Sequence, residues 1–360
     1  MLNLKVGKVV KICTARKNCV EVLVKINEKL EKAIAYNIFV NNLKVGNWVI
    51  VNTTAVDLNL GTGGYHYVLS NLNNMTVESK CKGHIMKLRY TPLQIKVYAC
   101  EEQDSRYHEI FNNFDSLNNM PVLIGGLHSI LPPVTVVLKK YNRNLKICYI
   151  MTDGGALPID FSENVFFLKE KGYIDGTITI GHSFGGDYEC VNIYNALIAA
   201  KNIMNCDICI VSMGPGIVGT GTKYGFTGIE QGYIIDAVNT LGGFPICIPR
   251  ISFKDKRLRH FGLSHHTITV LSEISKTSSN LVIPKFDDWR LKYIIKQIND
   301  NKIHTKHNIY YMDFNDIINI LENSDIIMNT MGRNFKSDLE YFISAGVNAK
   351  YAAEKMSCRV

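Results

Sequence analysis

The chain has 360 residues, 46% hydrophobic and 20% charged, with a formal net charge of +8 at pH 7. That length and balance fit a globular protein with room for two domains and exclude a disordered chain. Mean hydropathy is +0.01, and no uncharged apolar run approaches the ~20 residues that cross a bilayer, so neither a membrane span nor a membrane partner is expected.

Residues 1–75 read as a small all-β domain. Five short runs rich in Val, Ile and Tyr ("KVGKVVKI", "CVEVLVKI", "KAIAYNIFV", "NWVIVNTT" and "YHYVLSN") are separated by turn stretches, a pattern that predicts a little barrel. The opening "MLNLKVGKVVKIC" alternates apolar and polar residues, unlike the continuous apolar core of a signal peptide, so the expected location is the cytoplasm. Residues 76–120 read as a connecting segment, with a helix through "SRYHEIFNNF".

From residue 121 the grammar becomes strand, loop and helix, repeated. "PVLIGG", "KICYIMT", "DGTITIG", "CDICIVSM", "FPICIPRI" and "NLVIPKF" are short and apolar on both faces, as in a parallel sheet covered on each side. Helices are expected in "DYECVNIYNALIAAKNIM" and "IEQGYIIDAVNTLGG". The C-terminal part adds helices in "DWRLKYIIKQIND", "NDIINILE" and "KSDLEYFISAGVNAKYAAEKM", and one strand in "NIYYMDF". The fold class is α/β: a doubly wound, mostly parallel sheet over 121–360, behind a small N-terminal β-barrel-like domain.

Ten cysteines run from Cys13 to Cys358 without framework spacing and read as small buried apolar residues of a reducing compartment. "CDIC" at 206–209 matches C-x-x-C but lies in a strand-like run, where positions i and i+3 face opposite ways.

In an open parallel sheet, ligands bind beyond the carboxyl ends of the strands. The loops expected there (125–133, 152–158, 181–187, 213–228 and 252–266) gather glycine, polar and ionisable residues. The opposite-end loops "KKYNRN", "KEKGYID" and "KNIMN" are Lys-Asn filler. In the richest loop Gly214, Gly216, Gly219 and Gly221 precede Thr222, a composition that lets backbone N–H groups and a hydroxyl converge on an anion. Gly214-x-Gly216-x-x-Gly219 matches the dinucleotide fingerprint in register, but no helix follows at once and no ribose acid is in place.

The last loop supplies Arg257 and Arg259, whose forks suit phosphate or carboxylate. His265 and His266 suit proton transfer. As neighbours in a helix or strand, only one of the two is expected to face the site. Asp153 or Asp187 would be their acid–base partner, and His128 a ligand contact. Asp187 has a rival role as a helix N-terminal acid. Combined with His128, His182 and His265, the two acids show no H-x-x-x-H or H-E-x-x-H spacing, so no metal is assigned and the cofactor is unknown.

Two other readings compete with an anion site. Ser183 sits in "GHSFG", the G-x-S-x-G elbow of serine hydrolases, and Ser183, Asp255 and His265 run in the required order. Asp255 and His265, however, fall in one inter-strand segment. The other reading is RNA binding or an interaction role for the N-terminal domain, favoured by the +8 charge. Against nucleic acid, the charge is diffuse and no recognised aromatic–basic interleaving appears.

The stretches "TAVDLNLGTGGYHYV", "GHIMKLRYTPLQ", "MTDGGALP", "FGGD", "GPGIVGTGTKYGFTG", "LSHHT" and "TMGR" together resemble the bacterial domain-of-unknown-function 3866 family. The resemblance runs over nearly the whole chain. It implies a bacterial cytosolic protein and supports the choice of loops without naming a reaction. The family pattern often carries Gln-Ala at the His182-Ser183 position while keeping "FGGD", which implies that the serine is not a nucleophile. The leading expectation is a phosphorylated or carboxylated small molecule, nucleotides included, bound at the carboxyl edge of the sheet. Catalysis and homo-oligomerisation stay open at this stage.

Overall fold

The computed structural model describes residues 2–61, 63–78 and 82–357. They form two compact units, residues 1–82 with 88–96, and residues 83–87 with 97–360. In the first unit β1 (Leu4–Arg16), β2 (Cys19–Ile26), β3 (Lys29–Tyr36), β4 (Trp48–Asn52) and β5 (His66–Asn71) close a barrel in the order β1-β2-β3-β5-β4. These are the five strands the sequence predicts. Only β3 and β5 pair in parallel. Val9, Val22, Val24, Ala33, Val49, Val51 and Val68 fill the interior, small side chains suited to a narrow barrel. A Cβ on Gly7 would come within 2.4 Å of Val24, so β1 needs glycine to lie against β2.

The second unit holds β6 (Pro121–Ile124), β7 (Ile147–Thr152), β8 (Gly176–Thr179), β9 (Tyr188–Glu189), β10 (Ile208–Met213), β11 (Phe244–Cys247), β12 (Asn280–Pro284) and β13 (Asn308–Met312). They form one all-parallel sheet in the order β9-β8-β7-β10-β6-β11-β12-β13. Every residue of β6, β7, β8, β10 and β12 is buried, which is why these runs are apolar throughout. Leu123, Tyr149, Ile210 and Val282 face a core with α1 (Leu131–Tyr141), α2 (Glu163–Glu170), α6 (Asn315–Glu322) and α7 (Leu339–Ser357). Val122, Ile150, Cys209 and Ile283 face the other, with α3 (Ile193–Asn202), α4 (Glu230–Thr240) and α5 (Trp289–Asp300). Each such fully buried Leu, Ile or Val contributes about 1.5–3 kcal/mol.

The strand order creates a crevice. Strand β6 lies between β10 and β11. The chain leaves β6 through α1, on one face, to reach β7. It leaves β10 through α4, on the other face, to reach β11. Connections that part in this way open the space beyond the strands' carboxyl ends, a topological switch point.

Three expectations need correction. The loop expected over 125–133 ends early, because α1 begins at Leu131 with prolines in its first turn, where a missing N–H breaks no helix bond. The stretch 181–187 is a strand-to-strand turn rather than a strand-to-helix elbow. Gly181 (φ +60°) and Gly185 (φ +89°) fold the chain back, β9 then runs parallel beside β8, and α3 starts only after its N-cap Asn192. Buried Lys87 pins this turn, donating to Glu189 Oε2 (2.6 Å), the Ser183 carbonyl (2.5 Å) and the Thr179 carbonyl (3.3 Å). Finally, Cys206 precedes β10 and so escapes its alternation; the Cys148 thiol lies beside both Cys206 and Cys209, and burial pushes it well above its ordinary value.

Apart from exposed Cys13, the described cysteines are buried free thiols. Cys81 and Cys358 lie outside the described residues. Among the described residues no helix is long and apolar enough to cross a membrane.

Candidate functional site

Two hairpins rise from the crevice. Beyond β11, Ile251 and Ser252 pair antiparallel with Leu263 and Gly262, so residues 253–261 form a projecting tip that carries the basic side chains. Beyond β10, the glycine loop closes on itself through Thr220 N to Gly225 O (2.8 Å) and Thr227 N to Val218 O (2.9 Å). The hairpins meet. A Cβ on Gly221, which sits at φ +81°, would stand 3.7 Å from the Arg259 guanidinium. A Cβ on Gly219 would stand 3.6 Å from His266 Nε2. Phe226 stacks on the His266 ring, with centroids 4.0 Å apart and planes 5° apart.

Between the hairpins and the 125–130 loop lies a cavity of about 20 Å³, lined in part by Gly126, Ile217, Gln231, Arg250, His266 and Tyr341. That is room for about one water. A larger ligand must therefore sit on the outer side of the hairpins or displace the glycine loop.

Asp255 organises the charges. Its buried carboxylate accepts from Arg257 Nε (2.9 Å) and Nη2 (2.7 Å) and from Arg250 Nη2 (3.2 Å). The Arg257 hydrogen bonds, chief among these contacts, hold it far below the usual carboxylate range. Arg333, from the "TMGR" stretch, comes within 4.0 Å of Asp255 and donates to buried Asp338 (2.7 Å), which also accepts from Ser252 (2.7 Å). Arg257 is thus tied into the scaffold. Arg259 has no acidic or hydrogen-bonding partner among the described residues.

Three imidazoles lie beside these arginines. His260 is buried, with Nδ1 at 2.8 Å from Ser264 Oγ. Ser264 caps the short helix His265–Thr269 by accepting from the His266 N–H (3.3 Å). The expectation that only one of His265 and His266 faces the site is corrected. As the first two residues of a helix they both reach the 257–261 turn, and one nitrogen from each of His260, His265 and His266 lies within 4.8 Å of the others. Burial, helped by Arg250 and neighbouring charges, holds His260 and His266 down to about 3 and lowers His265. At neutral pH they are uncharged rings, not imidazolium acids.

The family model described as "Protein of unknown function (DUF3866)" matches residues 32–349. The chain belongs to the DUF3866 family. The match begins within β3 and ends within α7, so both hairpins and the whole parallel sheet fall inside the DUF3866 region. No curated protein matches the chain.

Within that region the other expected residues separate. Gly214 packs on Met151, Gly216 turns the chain at φ +105°, and the Thr222 hydroxyl bonds within its own loop, to Thr220 Oγ1 (2.9 Å) and from Gly225 N (3.2 Å). His128 is buried with both ring nitrogens engaged, Nδ1 near the Tyr149 hydroxyl (3.1 Å) and Nε2 near Ser162 Oγ (2.6 Å), so it braces the fold. Ser183 is fully buried and donates to the Thr152 carbonyl (2.9 Å), with no imidazole bonded to it. Asp187 sits at the sheet's opposite edge, held by Lys169 (2.5 Å) and by the Thr177 N–H and hydroxyl (2.9 Å each). The turn at 181–187 carries it back to the amino end of β8.

Asp153 stays at the carboxyl edge, and burial raises its carboxyl. Its neighbour is Glu230, which sequence reasoning missed. Glu230 accepts from Thr152 Oγ1 (2.5 Å), and burial pushes it up to about 7, with Asp153 adding to the rise. Two adjacent carboxyls, one titrating near neutrality, form a candidate acid–base pair. Arg250, Arg333 and Tyr341 were missed as well. For Arg250 the signal was legible: a charged residue three positions beyond the end of β11.

Proposed function

We propose that this DUF3866 chain binds a phosphorylated or carboxylated small molecule, nucleotides included, at the carboxyl edge of its sheet. One observation carries the reading: the unpaired Arg259 guanidinium stands over the Gly221 turn. A free guanidinium beside glycine backbone is complementary to a planar or tetrahedral anion. Arg257 and Arg250 act through Asp255, fixing the hairpin that presents Arg259. Glu230 and Asp153 would move a proton if the bound molecule reacts.

Thermal unfolding of the chain with inorganic phosphate, nucleoside phosphates, sugar phosphates and small carboxylates tests this. At least one is expected to raise the midpoint, and Arg259→Gln is expected to abolish the rise while leaving the unliganded midpoint unchanged. A panel without effect, or a variant that responds like the parent, overturns the reading.

The barrel supports a second reading, nucleic-acid binding. Trp48 is 48% exposed with Lys8 Nζ 5.8 Å from its ring centre, and Lys32 lies 5.7 Å from that of Tyr65. That reading predicts affinity that falls steeply with salt. With its hydroxyl committed to a backbone carbonyl, Ser183 lends no support to the hydrolase alternative.

A further inference from the structure

We propose that His260, His265 and His266 form a binding site for a divalent transition-metal ion of zinc type. Their nitrogens already lie within 4.8 Å of one another. Tetrahedral zinc bonds of about 2.0–2.1 Å set neighbouring nitrogens about 3.4 Å apart, so small side-chain movements close the set. Three imidazoles and no thiolate or carboxylate is a donor set that suits Zn²⁺, Co²⁺, Ni²⁺ or Cu²⁺ rather than Mg²⁺ or Ca²⁺. Three protein ligands also leave a fourth position open to water or an anion.

Supporting contacts orient the rings. Ser264 Oγ bonds His260 Nδ1 and thereby leaves Nε2 as its metal-facing nitrogen, the usual outer-shell arrangement for a ligating histidine. Phe226 stacks flat on His266 and sets that ring's plane. His265 Nε2 is buried with no hydrogen-bond partner, an unfavourable state that ion binding at the cluster relieves.

Opposing charge comes from Arg250, Arg257 and Arg259, of which Asp255 neutralises only part. A dication here is therefore expected to bind more weakly than in a carboxylate-flanked site. Its affinity should rise when inorganic phosphate takes the open position. The proposal goes beyond the anion reading. Zinc uptake and the phosphate response are separate measurements, and either can fail alone.

The test uses the full chain stripped with a chelator, then equilibrated with Zn²⁺ alone or Co²⁺ alone. One zinc per chain is expected by elemental analysis, with a four-coordinate visible spectrum for cobalt and a higher unfolding midpoint with zinc. His265→Gln and His266→Gln should each weaken binding by about tenfold or more. His304→Gln, at an exposed histidine outside the cluster, should bind like the parent. Circular dichroism without metal checks that the variants fold. Substoichiometric zinc, or uptake that both cluster variants retain, overturns the proposal. If neither variant folds, the wild-type cobalt spectrum decides, and a weak six-coordinate spectrum rejects the site.

Discussion

The two edges of the parallel sheet handle charge differently. At the amino edge three lysines meet aspartates: Lys139 with Asp175 (2.8 Å), Lys169 with Asp187 (2.5 Å) and Lys171 with Asp325 (2.7 Å). Pairs of this kind contribute about 0–1 kcal/mol each when solvent reaches them. At the carboxyl edge the ledger does not balance. One buried aspartate serves two guanidiniums, Arg259 is left over, three histidines stay uncharged, and Glu230 titrates near neutrality. Size alone would mislead, because the amino edge has the larger groove, about 440 Å³. Of its lining residues, Lys139 and Lys171 are already paired within the protein, while Lys140 and Arg143 are exposed side chains without an acidic partner among the described residues. Incomplete compensation around buried ionisable groups, rather than volume or exposed charge, marks where a charged ligand completes the structure.

The largest effect that would break this comparison lies under the 181–187 turn. Lys87→Met leaves the largely buried Glu189 carboxylate without its counter-charge, held only by the Thr179 hydroxyl and the Gly185 N–H (2.7 Å each), and should lower stability by about 3–5 kcal/mol in urea unfolding. Adding Glu189→Gln should restore much of the loss. A loss below 1 kcal/mol would mean that this pair behaves like the surface pairs of the other edge.

Glu230 gives the next effect. Its folded pKa, about 7, lies above its ordinary 4.5. The associated stability is therefore fully present below about pH 4.5 and is lost as pH rises through 7. The change amounts to about 3–3.5 kcal/mol at most. Glu230→Gln should flatten the difference between urea midpoints at pH 5 and pH 8, and an unchanged slope would assign the titration to another group.

The smallest effect belongs to Asp187. Asp187→Asn should cost under about 1 kcal/mol and leave any anion-induced shift in unfolding midpoint intact, whereas Arg259→Gln abolishes it. Loss of the anion response in Asp187→Asn would return that residue to the site.

The sheet was legible in the sequence because its strands are buried on both faces and therefore read as uninterrupted apolar runs. The meeting of the two hairpins followed from the rule that places ligand loops at the carboxyl ends. Helix α1 was hidden by Pro132 and Pro133, which look like a break but occupy a first turn. Asp187 went astray because nothing local in "GHSFGGD" distinguishes a turn into a helix from an eight-residue return to a parallel edge strand. Glu230 was missed because a charge acquires meaning only from its burial, which depends on residues distant in sequence. Thr222 and His128 had the right chemistry but internal partners.

Crystals of the chain soaked in tungstate, a heavy surrogate for phosphate, test the central claim most directly. An anomalous peak between Arg259 and Gly221 is the expected result. A peak confined to the groove of Lys139, Lys140, Arg143 and Lys171, with none at the hairpins, would contradict it.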